Sequence, residues 1–261
     1  MTFQARRDYI MAQLREKPLV TVSELAEAFS LSEVSVRKLL SAMEQEGLLT
    51  RSWGGATRPE NALREYSHVE KESLHLEEKK AIAQYCYNEI RDDESVFLDS
   101  GTTTIQLARL IASGAKRRIL VVTNALNIAM EFAHAEDISV ILIGGEFRHR
   151  IVCCTGELAV DALDHFYFDR SFISGNHFSL ERGFTTPILS EAKMKGKVFE
   201  VSKCSYVVMD SSKYGSNSLC RIAPIQAASM IVTDSGLPES ILSHFRENNI
   251  SIVAVPKVEN P

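Results

Sequence analysis

Val96-Phe97-Leu98-Asp99-Ser100-Gly101-Thr102-Thr103-Thr104 joins an apolar run to an acid, a glycine and four hydroxyl residues. The pattern predicts a buried strand, a tight turn and the N-terminus of a helix. The first N–H groups of a helix lack intrahelical partners and carry partial positive charge, so this loop suits a phosphate or a carboxylate. The alternative is that Ser100 or Thr102 is an ordinary helix cap. The predicted helix shows its apolar spacing at Ile105, Leu107, Ala108, Leu110 and Ile111.

Apolar runs and helical patterns alternate from here to the end of the chain. Runs such as Ile119–Val122 and Val140–Ile143 are apolar throughout, which is typical of parallel strands covered on both faces. We therefore predict a mainly parallel α/β domain over residues 76–261. It opens with a helix over 76–90, on which Lys79 and Lys80 are expected to be solvated. Strands are expected at 95–99, 118–123, 138–143, 168–174, 204–210, 229–233 and 250–255, and further helices at 103–113, 125–135, 157–165, 188–200 and 237–247.

Small, hydroxyl and acidic residues follow the predicted strands. Ligands of parallel sheets bind beyond the carboxyl ends of the strands, so these residues are expected to share one edge. Turn residues alone explain any single one of them. Together they describe a polar pocket for a phosphorylated polyol, with the phosphate on Ser100–Thr104 and its hydroxyls on Asp99 and Asn124. The other residues of this edge are Thr123, Gly144-Gly145-Glu146, Ser174-Gly175-Asn176-His177, Asp210-Ser211-Ser212-Lys213 and Thr233-Asp234.

Residues 1–58 predict three helices followed by a β-wing. The first helix covers Phe3 to Arg15, and Pro18 ends it; Leu19-Val20 is expected to be no more than a strand stub. Thr21-Val22-Ser23-Glu24 is a capping box that opens a short second helix. After a tight connection, Ser32 caps a third helix over residues 33–45, and Gly47 ends it. A strand over Leu48–Arg51 and a loop tip at Trp53-Gly54-Gly55 complete the plan of a winged helix-turn-helix.

The third helix is the predicted DNA-reading helix, because the second helix of such a pair enters the major groove. Arg37 is the candidate for a base edge, since its guanidinium matches guanine O6 and N7. Lys38 and Arg51 are expected to contact phosphates. Trp53 either stacks on a sugar or packs under the wing. The further predicted contacts are Ser32, Ser35, Val36, Ser41, Gly54 and Gly55.

These N-terminal residues resemble the DeoR family of bacterial transcriptional regulators, and the resemblance implies DNA binding. The family's usual recognition-helix core is Ile-Arg-Arg-Asp-Leu, where this chain has Val36-Arg37-Lys38-Leu39-Leu40. The family's His before the wing glycines is Trp53 here, so operator sequences of relatives do not transfer to this chain. The matching stretches are Val22-Ser23-Glu24-Leu25-Ala26, Ser32-Glu33-Val34-Ser35-Val36-Arg37, Glu44-Gln45-Glu46-Gly47-Leu48-Leu49 and Arg51-Ser52-Trp53-Gly54-Gly55-Ala56.

The larger part resembles the effector domain of the same family along nearly its whole length. The resemblance implies a fold similar to ribose-5-phosphate isomerase and glucosamine-6-phosphate deaminase, and sensing of a phosphorylated sugar or sugar-like metabolite. It adds Glu191 and Lys195 to the effector-binding residues, and it implies that Lys79 and Lys80 lie close to the sensor pocket. At Gly175-Asn176-His177-Phe178-Ser179 the chain departs from the family's Gly-Ala/Cys-x-Gly-Ile, so His177 either alters ligand choice or is a surface residue. The matches are Leu98–Thr103, Val122–Asn124, Ile143–Gly145, Ser190–Ala192 with Lys195, Asp210–Lys213 and Ile231–Asp234.

Charge and cysteine content limit the function classes. Residues 1–58 hold eight Lys/Arg and seven Asp/Glu, of 29 and 34 in the whole chain, so this segment carries +1 and the remainder −6. The five cysteines include no C-x-x-C pair, so we predict no disulfide framework, no metal site and no cofactor. No run of roughly 18 apolar residues and no signal-peptide core occur, and a cytoplasmic protein with no membrane partner is expected. Residues 59–75 are predicted to be a linker.

The leading hypothesis is a DNA-binding repressor of a carbohydrate-utilisation operon, controlled by a phosphorylated sugar. Its expected partners are double-stranded operator DNA and that metabolite, and paired half-sites require a homodimer or homotetramer. One alternative is a sugar-phosphate isomerase or deaminase that carries an accessory DNA-binding module, with Asp99, Glu191, Lys195 and Asp210 as acids and bases. Another is a protein-binding adaptor built on the N-terminal helices.

Overall fold

The smaller of two compact units, Met1–Arg64, is a winged helix-turn-helix, as predicted. The computed structural model describes residues 1–17, 19–46, 48–52, 54–57 and 67–256. Pro18, Gly47, Trp53 and the linker residues 59–66 therefore lie outside the described residues. Leu19-Val20, expected to be no more than a strand stub, is part of strand β1, which pairs with β3 of the wing. The strand order of this sheet is β1-β3-β2. The elements are α1 (Phe3–Glu16), β1 (Leu19–Thr21), α2 (Val22–Phe29), α3 (Glu33–Gln45), β2 (Thr50–Ser52) and β3 (Gly55–Thr57).

Caps and turn geometry set the helix boundaries of this unit. The Thr21 hydroxyl accepts a hydrogen bond from Glu24 N at 3.2 Å, and the Glu24 carboxylate accepts one from Thr21 N at 2.9 Å, which confirms the capping box. Ser30 ends α2 in the left-handed region, at φ 53°. Ser32 caps α3 by accepting from Ser35 N at 3.3 Å. The buried core includes Ile10, Leu14, Leu25, Phe29, Val36, Leu39, Leu40 and Met43.

The larger unit, Glu65–Pro261, is an α/β domain. Its elements, in chain order, are α4 (His68–Glu72), α5 (Leu76–Glu89), β4 (Ser95–Leu98), α6 (Thr104–Ser113), β5 (Ile119–Thr123), α7 (Leu126–Glu131), β6 (Ile138–Leu142), β7 (Glu146–Arg148), β8 (Cys153–Thr155), α8 (Glu157–Leu163), β9 (Phe168–Ile173), β10 (His177–Ser179), β11 (Gly183–Thr186), α9 (Leu189–Glu200), β12 (Ser202–Val208), β13 (Cys220–Ala223), β14 (Met230–Asp234), α10 (Glu239–Glu247) and β15 (Ile252–Val255).

A seven-stranded parallel sheet forms the centre of this unit, in the order β15-β14-β12-β9-β4-β5-β6. All seven predicted strands form it, and apolar clusters cover both of its faces. From β4 the chain adds β5 and β6 on one side, and then returns to place β9, β12, β14 and β15 on the other. The strand order therefore reverses between β4 and β9, where doubly wound sheets bind their ligands.

Several short elements escaped the sequence prediction. The hairpin β7–β8 and the small antiparallel sheet β10-β11-β13 consist of strands of three or four residues, too short to show alternation. Residues 67–75 of the predicted linker group with the larger unit and are partly helical. There, Ser67 caps α4, and His68 is buried and donates its N–H to Arg150 O at 2.6 Å within the larger unit. Among the described residues, no helix combines the length and the apolar character needed to cross a membrane.

Candidate functional site

Asp99 lies at the point where the strand order reverses, and it links the ends of β4 and β9. One carboxylate oxygen accepts hydrogen bonds from Ser174 N at 2.7 Å and from the Ser174 hydroxyl at 2.8 Å. The other accepts from Gly101 N and the Thr104 hydroxyl, both at 3.0 Å. Asp99 is only 2% exposed. Its contacts therefore hold the loop after β4 in one conformation against β9.

Lys195 forms a buried charge cluster with two carboxylates, which we call the switch-point cluster (Asp99, Glu191 and Lys195). Its ammonium nitrogen is 2.9 Å from Asp99 Oδ2 and 3.0 Å from Glu191 Oε1, and it also donates to Ser174 O at 2.9 Å. Glu191 and Lys195 are one turn apart on α9, so both point at the same place. The Thr186 hydroxyl donates to the second oxygen of Glu191 at 2.8 Å.

In the switch-point cluster, the attraction between opposite charges outweighs the effect of burial on the pKa values. Burial alone raises the pKa of Glu191, but the charge of Lys195 outweighs it and lowers the pKa to about 2. Burial alone lowers the pKa of Lys195, but Asp99 and Glu191 outweigh it and keep the pKa above the ordinary value. Glu191 and Lys195 are therefore charged throughout the physiological pH range.

A second group of charged residues surrounds Asp210 after β12, and we call it the lysine cluster (Lys79, Asp210 and Lys213). Lys79 is 3% exposed and its ammonium donates to the carbonyl of Lys71, so the prediction that it is solvated is wrong. Lys80 is exposed, as predicted, and pairs with Glu77 at 2.8 Å. The charge of Lys71 also lowers the pKa of Glu191, so the two clusters are electrostatic neighbours.

Burial governs the pKa values in the lysine cluster. It lowers the pKa of Lys79 to about 8, and the nearby Asp210 carboxylate offsets this only in part. Burial alone raises the pKa of Asp210, but Lys213 and His75 outweigh it and the pKa is lowered. Asp210 also accepts hydrogen bonds from Ser212 N, at 3.2 Å, and from the Ser212 hydroxyl. An anionic ligand here would stabilise the charged form of Lys79.

The loop that leads into α6 is not closed by a side-chain cap. The cap position is Thr103, which makes no capping hydrogen bond, so the alternative that Ser100 or Thr102 caps this helix is wrong. Asn124 donates to Cys154 O at 2.7 Å, while its Oδ1 atom is buried and has no hydrogen-bond partner among the described residues. Such an orphan acceptor suits a ligand hydroxyl. Thr123 is fully buried and accepts from Ala125 N, which is a structural role.

The structure does not place every predicted effector residue at these clusters. Gly144 is exposed, with open space around it. A side chain at Gly145 would collide with Thr155 and Ala159, and one at Gly175 would press on Met209 and Ile222, so both glycines serve packing. The residue pattern predicted Lys79 to be solvated and only the family resemblance placed it near the pocket, although it lies on the same helical face as Ile82, Ala83 and Cys86. Ser174 was placed at this edge of the sheet but was not named as an effector-binding residue, and Thr186 was not predicted. Among the described residues, no three His, Cys, Asp or Glu side chains are grouped to hold a metal.

On the smaller unit, α3 exposes Ser35, Arg37 and Lys38 as predicted. Arg37 pairs with Glu33 at 2.5 Å, and Arg51 donates to the Ser41 hydroxyl at 2.7 Å. Val34, which was not predicted as a contact, is 59% exposed at the start of this helix.

Two predicted DNA contacts on this unit are wrong. Val36 is fully buried in the core of the unit. Gly55 is buried against β1, where a side chain would collide with Val20 O, so its role is close packing of strands. Gly54 is exposed, at φ 84°. Trp53 stays a prediction.

Comparisons with known proteins agree with both halves of this description. A model described as the DeoR-like helix-turn-helix domain matches residues 6–62, and one described as the DeoR C terminal sensor domain matches residues 74–235. The uncharacterized HTH-type transcriptional regulator FruR of Bacillus subtilis is 32% identical over 96% of this chain and 98% of its own. The glycerol-3-phosphate regulon repressor of Escherichia coli K12 is 28% identical over 95% and 97%. A solved D-ribose-5-phosphate isomerase with phospho-erythronic acid matches 53% of each chain at 16% identity, with a TM-score of 0.40.

Proposed function

Since the chain belongs to the DeoR family of DNA-binding transcriptional regulators, we propose that it represses a carbohydrate-utilisation operon and that a phosphorylated sugar controls it. The observation that carries the proposal is the pair of charge clusters at the carboxyl ends of the parallel strands. A relative of similar length is named for a glycerol-3-phosphate regulon, which supports the same chemical class of effector.

The phosphate is assigned to the loop of residues 100–104 and to the lysine cluster. The loop offers hydroxyls and the uncapped N-terminus of the ten-residue helix α6, and Lys79 and Lys213 supply positive charge. The polyol is assigned to the switch-point side, where Asn124 Oδ1 has no hydrogen-bond partner among the described residues and the carboxylates can accept hydrogen bonds from hydroxyl groups. The ligand would therefore lie across the reversal point, with its anionic end at α6.

We propose binding rather than turnover. A general acid or base works best with a pKa near the operating pH, whereas Glu191 has a pKa of about 2 and Lys195 is held as a cation by two carboxylates. No cofactor and no metal is proposed. Incubation with pentose and hexose phosphates should show no isomerisation or deamination at enzymatic rates, and such turnover would favour the enzyme alternative.

A thermal-shift screen of sugar phosphates tests the effector site. At 100 times Kd a ligand adds about 2.7 kcal/mol to the free energy of unfolding, or roughly 5–11 °C in Tm for a unit of this size. Gly101→Ala should abolish the shift, because its new methyl group would collide with Ser174 and Asp99. Gly144→Ala, placed in open space, should keep it. Equal shifts in the two variants would contradict the assignment.

DNA recognition is assigned to the exposed face of α3, with Arg37 on a guanine and Val34 against a thymine methyl group. Operator fragments obtained by in vitro selection provide the test. Arg37→Ala should cost about 1–3 kcal/mol and relax the preference at one base pair, whereas Lys38→Ala should weaken all sequences alike and lower the salt slope by about 1. Identical base preferences in Arg37→Ala and the wild type would refute the role of Arg37.

Control of DNA binding requires the effector to prefer one of two states of the protein. The shift in DNA affinity equals the difference in effector affinity between those states, and the effect is reciprocal. Titration of operator-bound protein with the effector found by thermal shift measures this coupling. Release of DNA is the outcome expected of a repressor of a catabolic operon.

A further inference from the structure

The outer edge of β6 lacks the features by which proteins protect the edges of their sheets. β6 is the last strand on its side, and within the described part of the chain it pairs only with β5. Its five residues, Ile-Ser-Val-Ile-Leu, contain no charge and no proline. Edge strands of soluble proteins usually carry one or the other, because their free N–H and C=O groups pair readily with another chain.

Backbone geometry shows which residues of β6 present these groups. Ile143 donates its N–H to Thr123 O of β5 at 2.8 Å, and Ile138 donates its N–H to Ala135 O at 3.0 Å. In a strand, alternate residues direct their backbone groups to the same side. Val140 and Leu142 therefore direct their N–H and C=O groups away from β5, to the open edge.

Apolar side chains are exposed on both faces of this edge. Successive side chains of a strand point to opposite faces, so Ile141 and Leu142 lie on different ones. Elements next to β6 also expose apolar side chains: α7 precedes it, β7 follows it, and α8 adjoins Gly145, where an added side chain would meet Ala159. The exposed apolar side chains are Leu126 (42%), Met130 (64%), Ile141 (37%), Leu142 (42%), Phe147 (41%) and Leu158 (76%).

The opposite edge of the same sheet is different. All four residues of β15 are buried or half-buried, and Pro256 follows directly. Monomeric proteins rarely expose a contiguous apolar patch of several side chains unless it binds a partner. Because the β6 edge exposes apolar side chains and the β15 edge does not, we place the interaction surface at β6.

We propose that a second copy of this chain occupies this surface, with the two β6 strands antiparallel about a two-fold axis at Val140. Val140 then pairs with its own counterpart, Ile138 with Leu142, and Ser139 with Ile141 of the other copy. This register joins the outward groups of Val140 to each other and the N–H of Leu142 to the carbonyl of Ile138, while the N–H of Ile138 stays on Ala135 O. It continues one sheet through both subunits. The apolar side chains on both faces are covered at the same time.

Charge complementarity selects a second copy as the occupant. The uncharged strand brings no like charges opposite each other when it pairs with itself. Glu136 and Asp137 precede it, whereas the next hairpin carries Glu146, Arg148 and Arg150, a net charge of 2 − 1 = +1. Antiparallel pairing brings the acidic flank of one copy toward this net basic flank of the other; Asp137 also lies 3.4 Å from Arg117 in its own chain. The proposal rests on the DNA-binding role to the extent that paired half-sites need a two-fold dimer.

Sedimentation equilibrium of the full-length chain tests the proposal. The wild type should be a dimer, and Leu142→Glu and Leu158→Glu should each raise the dimer dissociation constant roughly 100-fold, since each buries an unpaired charge in the interface. Leu219→Glu is the matched control, because Leu219 is 62% exposed on a loop far along the chain from β6. It should leave the constant unchanged. Circular dichroism and Tm of each variant verify that it folds.

Val140→Pro tests the strand pairing itself. Its N–H points to the open edge, so proline removes no hydrogen bond within the chain but blocks the central pair between copies. If the variant is monomeric but its Tm still rises with sugar phosphate, the result supports the interface and does not contradict the effector site. If no sugar phosphate raises the Tm of the wild type but Leu142→Glu still dissociates the dimer, the effector proposal is contradicted and the interface proposal is not. A monomeric wild type, or glutamate variants that dimerise as the wild type does, would overturn the inference.

Discussion

Lys195→Met is expected to lower the free energy of unfolding by about 3–5 kcal/mol at pH 7, because it leaves buried Asp99 and Glu191 without their cation. For a unit of this size the loss corresponds to roughly 6–20 °C in Tm. Lys193→Met is the control, since Lys193 is exposed on the same helix. Denaturant unfolding of both variants measures the effect. Equal stability of the two would mean that the switch-point cluster contributes nothing to the fold.

The loss in Lys195→Met should also depend on pH. The folded pKa of Glu191 is about 2, below its ordinary 4.5, so stabilisation by Lys195 through this group is complete above pH 4.5 and disappears as the pH falls toward 2. The difference in unfolding free energy between wild type and variant should therefore shrink over that window. A constant difference from pH 7 to pH 3 would contradict the charge-pair explanation.

Lys79→Met is expected to raise the free energy of unfolding and, at the same time, to weaken the binding of sugar phosphates. Burial lowers the pKa of Lys79 from 10.5 to about 8, so the charged form is disfavoured in the folded state. A shift of this size corresponds to about 3 kcal/mol, which methionine would recover in part below pH 8. The variant should thus be more stable than the wild type and yet lose the thermal shift with sugar phosphates, because the phosphate loses a cation.

Lys79 gives this prediction a second, independent measurement. In the wild type, the buried charge of Lys79 lowers the free energy of unfolding by its full amount below pH 8. This destabilisation disappears between pH 8 and 10.5, so the contribution of Lys79 makes stability rise with pH over that range. Phosphate affinity should fall over the same range as the ammonium loses its proton. Lys80→Met is the control, because Lys80 is exposed on the same helix and its ion pair with Glu77 is a surface pair. A Lys79→Met variant that still binds sugar phosphate at wild-type affinity would remove Lys79 from the site.

Local patterns were enough to predict the seven strands and the capping box. Periodicity and caps are properties of neighbouring residues, so the sequence displays them directly. The partner of Asp99 could not be predicted in this way. Ser174 is 75 residues away, and only the strand order brings the two together. The small sheet was missed for a related reason, since its strands are stabilised by pairing across the unit.

The errors at individual residues have physical causes that the sequence already contained. Val36 was assigned to DNA, but it fills the core of the smaller unit, and a side chain that fills the core cannot also reach a base. Lys79 was judged by its charge, although its spacing from Ile82, Ala83 and Cys86 placed it on the buried face of α5. Gly55 was assigned to a loop tip, but the close approach of β1 requires a residue without a side chain.

The separation of Asp99 from its partners has a consequence for synthesis on the ribosome. The described strands and helices of the smaller unit are complete once residue 57 has emerged, whereas the proposed effector site includes residues as distant as Lys213. At 5–20 residues per second, this interval lasts about 8–30 s. Each nascent chain therefore completes its winged helix-turn-helix before it has synthesised the residues that are proposed to bind the metabolite.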